Sequence, residues 1–78
     1  MTWSVEWSPV AERDVLHMPW RLAARIYASV FELAEHERGR VDRTDAPGIF
    51  RLRVPGAVAL IRVDAATRTL HVQRLLST

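Results

Sequence analysis

The sequence predicts an α+β fold that consists of a strand, a two-helix hairpin and a three-stranded antiparallel meander. Residues 48–76 contain three strand-like runs separated by two turn-like breaks. Two segments before them carry apolar residues at helical spacing, and a proline separates these two segments. An alternating run over residues 3–7 precedes both. We expect this first strand and the helices to cover the apolar face of the meander.

The first half of the chain contains signals for where each element begins and ends. Ser8 is a preferred N-cap residue and the proline after it suits the first helical position, so the first helix is expected over about residues 9–17. The second helix is expected over residues 20–38, with Gly39 as its C-cap. The polar, charged segment 40–47 is expected to form a loop that returns to the sheet.

The turns of the meander determine which residues pair. A Pro-Gly dipeptide separates the first two runs, which predicts a tight hairpin with the flanking residues opposite each other. A four-residue polar break separates the second and third runs. This register sets Arg62 beside His71 and Leu60 beside Gln73.

Alternation along these strands sorts the side chains onto two faces. The predicted core face holds Phe50, Leu52, Val54, Ala57, Ala59, Ile61, Val63, Leu70 and Val72. The predicted outer face holds Arg51, Arg53, Val58, Leu60, Arg62, His71, Gln73 and Leu75. The outer face is basic and has an apolar strip, so it is either a solvated surface or a binding surface for a polyanion or a partner segment.

Composition restricts the classes of function. The chain has 78 residues, which suits one small domain over residues 1–78. It has no cysteine, which excludes disulfides, thiolate catalysis and Cys-ligated zinc. The histidines are scattered and no glycine-rich phosphate loop occurs, so neither a metal site nor a cofactor is expected. No apolar run reaches the ~18 residues that span a membrane, and the N-terminus lacks a signal-peptide pattern, so a cytoplasmic protein is expected.

The basic residues are all arginine. The chain has eleven arginines and no lysine, a formal net charge of +2 and a pI of about 10.4. A GC-rich genome would produce this bias, and arginine also suits bidentate contacts with phosphate and stacking on bases. Composition leaves both explanations open, so the positions of the arginines on the fold must decide between them.

Several segments together resemble the RelE/ParE superfamily of bacterial toxins from type II toxin–antitoxin systems. The order of a strand, two helices and three antiparallel strands is that family's order, and the likeness covers nearly the whole chain. The strand Phe-Arg-Leu-Arg-Val is its most informative piece. The similar segments are residues 3–7, 33–39, 48–54, 62–64 and 70–74.

This resemblance implies two alternative functions. RelE-like members cut mRNA in the ribosomal A site and so inhibit translation, whereas ParE-like members poison DNA gyrase. Both kinds are neutralised by a cognate antitoxin whose C-terminal segment wraps the toxin, and oligomers with the antitoxin are compatible with this arrangement. The chain is therefore expected to be a translation-inhibiting, endoribonuclease-like toxin or a non-catalytic member that binds gyrase or a partner helix through its outer face.

The resemblance also implies site residues. Arg51 and Arg53 match basic positions of the family and are candidates for stabilising charge on a cleaved phosphate. His71 is the one candidate on the outer face for proton transfer, because arginine stays protonated. The candidate catalytic residues are thus Arg51, Arg53 and His71. The candidate residues for binding RNA or a partner are Arg51, Arg53, Val58, Leu60, Arg62, Gln73 and Leu75.

The sequence departs from the RelE-like pattern at three positions. Ala57 and Val58 stand where these members usually carry an aromatic-basic pair, and Ile61 stands where a tyrosine is common. RNA cleavage requires a base, an acid and stabilisation of the charged phosphorane. The sequence therefore leaves open whether the protein is an enzyme.

Overall fold

Five strands and two helices make up the fold, in a computed structural model that describes residues 2–78. The strands are β1 (Ser4–Trp7), β2 (Arg40–Arg43), β3 (Ile49–Val54), β4 (Ala57–Asp64) and β5 (Thr69–Ser77). The helices are α1 (Pro9–Leu16) and α2 (Trp20–His36). All five strands form one sheet in the order β1-β5-β4-β3-β2. The predicted α+β class and the order of strand, two helices and antiparallel meander are confirmed.

The sheet has one strand more than the sequence predicts in its second half. Residues 40–43 form β2, which pairs antiparallel with β3, so the expected loop over residues 40–47 is wrong for its first half. Three of these four residues are charged and have low β propensity, so the segment carries no strand signal of its own. The strand forms because β3 offers a free edge of backbone donors and acceptors.

β1 belongs to the sheet instead of covering it. It pairs in parallel with β5, with Glu6 opposite His71. Its apolar side chains still face the helices, where Trp3, Val5 and Trp7 pack against the core. The helices alone cover the apolar face, which corrects the expectation that the first strand would share in covering it.

The start of α1 follows the prediction. The Oγ of the N-cap residue Ser8 accepts a hydrogen bond from the backbone N–H of Ala11 at 3.0 Å, and a proline occupies the first turn. The helix ends at Leu16, one residue earlier than expected. Neither helix within residues 2–78 is long and apolar enough to cross a membrane.

The end of α2 differs from the prediction. The helix stops at His36, and Glu37 takes the left-handed cap conformation with φ of 52°. The expected C-cap at Gly39 is therefore wrong. Gly39 instead permits a close approach, because a Cβ atom at this position would lie 2.9 Å from Cδ1 of Leu52.

The register of the meander is confirmed up to a β-bulge in β5. Arg62 faces His71 as predicted. The pairing then shifts between Leu60 and Ile61, so Leu60 faces Arg74 and not Gln73. An extra residue in one strand moves every later side chain to the other face. Leu75, predicted on the outer face, is consequently a core residue with 3% exposure.

Residues of α1 and its N-cap continue the edge of the sheet where β1 ends. The backbone N–H of Ser8 donates to the Val72 carbonyl at 2.9 Å, and the Ser8 hydroxyl donates to the Gln73 carbonyl at 2.8 Å. The Leu75 N–H donates to Oδ2 of Asp14 at 2.9 Å. These contacts satisfy backbone groups that β5 would otherwise leave unpaired beside the bulge.

The core lies between the helices and one face of the sheet. Ala57 and Ala59 are each 1% exposed, and their small side chains let α2 pack close to β4. The largest fully buried side chains are Ile26, Val30, Leu52, Ile61 and Val72. Burial of aliphatic side chains of this kind contributes roughly 1.5–3 kcal/mol each, so this face anchors the positions of all the strands.

Ser8 provides a test of the link between α1 and β5. Ser8→Ala removes both the N-cap hydrogen bond and the hydroxyl contact with the Gln73 carbonyl. We expect the free energy of unfolding, measured by urea denaturation, to fall by about 1–2 kcal/mol. The matched control Ser77→Ala changes an exposed serine at the end of β5 and should alter stability by less than about 0.5 kcal/mol. Equal effects of the two changes would contradict the assigned contacts.

The contribution of the Asp64 carboxylate to stability can be tested at acidic pH. The pKa of its carboxyl group lies below the ordinary value of 3.8, mainly because the backbone N–H of Thr67 donates a hydrogen bond to it, with a smaller effect of the positive charge on Arg62. A lowered folded-state pKa contributes stability above the unfolded pKa, and this contribution is lost as the pH falls through the folded pKa. Asp64→Asn keeps an acceptor oxygen but not the charge. Its melting temperature should therefore decline less than that of the parent from neutral pH into acid, and identical declines would count against this assignment.

Candidate functional site

The arginines of the meander lie on the face of the sheet opposite the helices. We call this surface the open face. Its members include all the predicted outer-face residues except Leu75, together with seven that sequence reasoning missed. The open face consists of Glu6, Arg40, Asp42, Ile49, Arg51, Arg53, Val58, Leu60, Arg62, Asp64, His71, Gln73, Arg74 and Leu76.

Three of the predicted residues form a row across adjacent strands. Arg62 on β4 lies directly opposite His71 on β5. Arg51 on β3 is opposite Leu60, which makes it the diagonal neighbour of Arg62. Directly opposite residues have Cβ atoms about 4.5–5.5 Å apart and diagonal ones about 7–8 Å apart. The register therefore brings two guanidinium groups and one imidazole to neighbouring positions.

The two arginines of this row keep their charges available. Within residues 2–78, neither Arg51 nor Arg62 lies in an ion pair. Arg51 makes only a long contact, 3.5 Å from its Nη2 to the Arg43 carbonyl. Both side chains are exposed. An anion that approached this row would meet two guanidinium forks that no ion pair holds, with the Asp42 carboxylate opposite Arg51 and the Asp64 carboxylate near Arg62.

Arg53 is in a different situation. Its Nε lies 2.8 Å from Oδ2 of Asp42 on β2, and both side chains are exposed. An exposed pair of this kind contributes only about 0–1 kcal/mol to stability, yet it partly neutralises the arginine. The structure thus separates Arg53 from Arg51, although the sequence pattern treats them alike. Sequence reasoning missed Asp42 because it placed residues 40–47 in a loop.

His71 sits beside a carboxylate at the β1 edge. Its Nδ1 is 3.9 Å from Oε1 of Glu6, so the two form an ion pair only when the ring is protonated. The imidazole is half-buried in a shallow depression that Arg62 and Gln73 also line. Histidine is the side-chain type that exchanges protons near neutral pH, so this is the place on the open face with the chemistry for proton transfer.

The β-bulge brings two further residues to the open face. Arg74 lies opposite Leu60, and its Nε is 3.6 Å from the Asp14 carboxylate of α1. Leu76, 42% exposed, lies opposite Val58. The apolar strip of the open face is therefore Val58, Leu60 and Leu76, with Leu76 in the place expected for Leu75. No local sequence signal marks the bulge, because the residues around it continue the strand pattern.

The possible metal ligands among the described residues do not form a cluster. Within the described part of the chain, no group of three or more His, Asp or Glu side chains is placed to hold a metal ion. His17 follows α1, His36 ends α2 and His71 lies on β5, so the three imidazoles belong to separate elements. The open face itself carries guanidinium groups, one imidazole and nearby carboxylates.

The chain is similar to solved structures of known proteins in its fold, and much less so in its sequence. No protein-family profile and no curated protein matches the sequence. A chain of the toxin–antitoxin complex RelBE2 from Mycobacterium tuberculosis is similar over 100% of both chains, with a TM-score of 0.85 and 23% identity. The isolated RelE toxin of E. coli has a TM-score of 0.84 and 10% identity, over 97% of this chain and 84% of that one.

A ParE-type system matches as well. A chain of the chromosomal ParDE toxin–antitoxin system from P. aeruginosa has a TM-score of 0.75 and 16% identity, over 99% of this chain and 97% of that one. Identities this low establish architecture and not activity. The shared architecture agrees with the order of strands and helices described above, and the chain has the fold of the RelE and ParE toxins.

Proposed function

We propose that this protein is the toxin of a type II toxin–antitoxin system and that its open face binds a phosphate-bearing target. The observation that carries this proposal is the concentration of charge on that face. Five of the eleven arginines lie there, against the three carboxylates of Glu6, Asp42 and Asp64, while the apolar face of the sheet is covered by helices. The five are Arg40, Arg51, Arg53, Arg62 and Arg74. The fold shared with RelE and ParE proteins supports the same assignment.

The target that fits this charge best is RNA, as for a RelE-type inhibitor of translation in the bacterial cytoplasm. Arg51 and Arg62 are spaced to hold two neighbouring phosphates of a single strand. If the chain cleaves RNA, His71 would accept the proton of the 2′-hydroxyl as its oxygen bonds to phosphorus, and the arginines would stabilise the charge on the phosphorane. The bond from phosphorus to the 5′-oxygen then breaks, and that oxygen takes its proton from water. Glu6 would then hold the protonated ring.

A second candidate is a non-catalytic toxin that acts by binding a protein such as DNA gyrase or a partner helix. The apolar strip of Val58, Leu60 and Leu76 favours it, because aliphatic side chains between arginines suit a protein partner better than a phosphate backbone. The scarcity of proton-transfer groups favours it too. Ala57 and Ile61, which stand where RelE-like members carry other residues, are core residues here and leave His71 to act alone.

The proposal includes a cognate antitoxin as partner. The RelBE2 and ParDE neighbours are toxin–antitoxin systems. On the helix side of the sheet this chain has an apolar cleft of about 290 Å³ beside the C-terminal end of α2. Trp3, Leu33, Phe50 and Val63 line it. A partner segment with apolar side chains would fill this cleft and bury surface that the chain alone leaves half-exposed.

The role of the open face is tested by RNA binding. The double variant Arg51→Ala with Arg62→Ala should bind a single-stranded RNA oligonucleotide at least about ten-fold more weakly at low salt. Its log–log salt slope should fall by roughly 1.4, because each lost phosphate contact accounts for about 0.7. The control Arg13→Ala with Arg38→Ala removes the same charge away from the open face. If the two double variants weaken RNA binding equally, the effect comes from net charge alone, and the proposed site on the open face is wrong.

The choice between the two candidates is tested in cells. Expression of the protein without an antitoxin should arrest bacterial growth and leave cleaved mRNA, and His71→Ala should abolish the cleavage but not the RNA binding. Growth arrest with intact mRNA and gyrase-dependent DNA breaks would instead establish the protein-binding candidate. A chain that neither arrests growth nor binds RNA would overturn the proposal as a whole.

A further inference from the structure

One flank of α2 carries an apolar stripe that the rest of residues 2–78 leaves partly exposed, with the Tyr27 ring centroid 4.7 Å from that of Trp7. Trp20, Tyr27 and Phe31 are 73%, 47% and 58% exposed, and Ala24 is exposed between them. Their spacing of four, three and four residues aligns them along one side of the helix. We call Trp20, Ala24, Tyr27 and Phe31 the α2 stripe. Scattered exposed apolar residues are ordinary, but three aligned aromatic side chains form a contiguous patch typical of an interface.

The charges beside the α2 stripe run against the dipole of their own helix. The first half of α2 carries Arg21 and Arg25, and its first turn has no acidic residue. The last half carries Glu32 and Glu35, and His36 is the basic residue of its last turn. A helix is stabilised by acidic groups at its N-terminus and basic groups at its C-terminus, so this distribution is unfavourable for α2 alone.

The groups nearest the stripe have no ionic partner within the described chain. Arg25 is engaged, because its Nη1 donates to the Pro55 carbonyl at 2.7 Å. Arg21 makes no ion pair and lies over the Trp20 ring, with 5.2 Å between its Cζ and the ring centroid. Glu32 and Glu35 likewise make no ion pair. Arg21 therefore lies at one end of the stripe, and two carboxylates lie towards the other.

We propose that α2 pairs antiparallel with α2 of a second copy of this chain, around a two-fold axis near Ala28. Arg21 and Glu35 are each seven residues from Ala28, which is two turns of a helix. Antiparallel pairing therefore sets Arg21 of each copy beside Glu35 of the other. It also sets the N-terminal half of each helix, with its basic residues, against the acidic C-terminal half of its partner. The charge distribution that is unfavourable in one helix becomes complementary in the pair.

The stripe has a size and shape suited to such a pair. Ala24 and Ala28 are small, so the two helices can approach near the axis while the aromatic side chains pack on either side. Large aromatic side chains bury about 150–250 Å² each when fully covered. Six partly exposed ones, with the alanines and the charged flanks, bring the buried area to the order of the 1,000 Å² that a specific interface needs.

The proposed dimer is independent of the function assigned to the open face. The α2 stripe lies on the helix layer, and the open face lies on the other side of the sheet. A dimer through α2 would leave both open faces accessible and directed away from the contact. Its failure would leave the RNA-binding proposal intact, and the reverse also holds.

The experiment measures the mass of the protein alone by sedimentation equilibrium over a range of micromolar concentrations. The parent chain should form a concentration-dependent dimer. Glu35→Arg and Arg21→Glu should each weaken the dimer by about ten-fold or more, because each change creates two like-charge pairs across the axis. An equimolar mixture of these two variants should form a heterodimer, because each charge then faces its opposite.

Two further variants separate the stripe from general surface effects. Phe31→Ser should make the chain monomeric, whereas Leu16→Ser, which changes an exposed apolar residue at the end of α1, should leave the dimer unchanged. Circular dichroism confirms that each variant is folded. A parent chain that is monomeric at all concentrations, a mixture that forms no heterodimer, or equal dissociation by the two serine variants would each overturn the proposal.

Discussion

The alternation of side chains along β4 is the constraint on which the rest of the structure depends. β4 is paired on both sides, and its inward residues Ala57, Ala59 and Ile61 are nearly inaccessible to solvent. Because neighbouring side chains in a strand point to opposite faces, the register that buries Ile61 also exposes Arg62. The hydrophobic core and the basic open face are thus two results of one register. A slip by one residue would place arginine in the core, where an unpaired charge is prohibitively costly.

The β-bulge shifts the alternation of side chains in β5, and helix α1 satisfies the backbone groups beside the bulge. The bulge turns Leu75 inward to complete the core and turns Arg74 outward. The irregular strand leaves backbone groups beside α1, and Ser8 and Asp14 satisfy them. Asp14 also lies near Arg74, so one carboxylate both secures the strand and restrains a charge of the open face. Stability and site geometry are therefore coupled at this corner of the sheet.

Much of the fold could be predicted from the sequence because local signals agreed with the tertiary structure. The Pro-Gly turn predicted the pairing of β3 with β4, and Ser8 predicted the start of α1. The features that escaped prediction depend on contacts between elements. β2 exists because of the free edge of β3, and Gly39 is favoured by its φ of 151° and by the closeness of Leu52.

Part of the candidate site could also be predicted from the sequence. The row of Arg51, Arg62 and His71 follows from alternation and the register before the bulge. The pairing of Arg53 with Asp42 was not predictable, because it requires β2. Arg74 and Leu76 required the bulge. Which arginines stand outside ion pairs is thus decided by the tertiary structure, and Arg62 is a stronger candidate than Arg53.

The central claim is that the open face, and not net charge, receives the target of this protein. Since every basic side chain other than histidine is an arginine, a nuclear magnetic resonance spectrum of the arginine Nε–H groups observes each of these charges separately. During titration with single-stranded RNA, the signals of Arg51 and Arg62 should shift first and most, while those of Arg13 and Arg38 stay in place. Uniform small shifts of all the arginines, or shifts confined to those on the helices, would contradict the account.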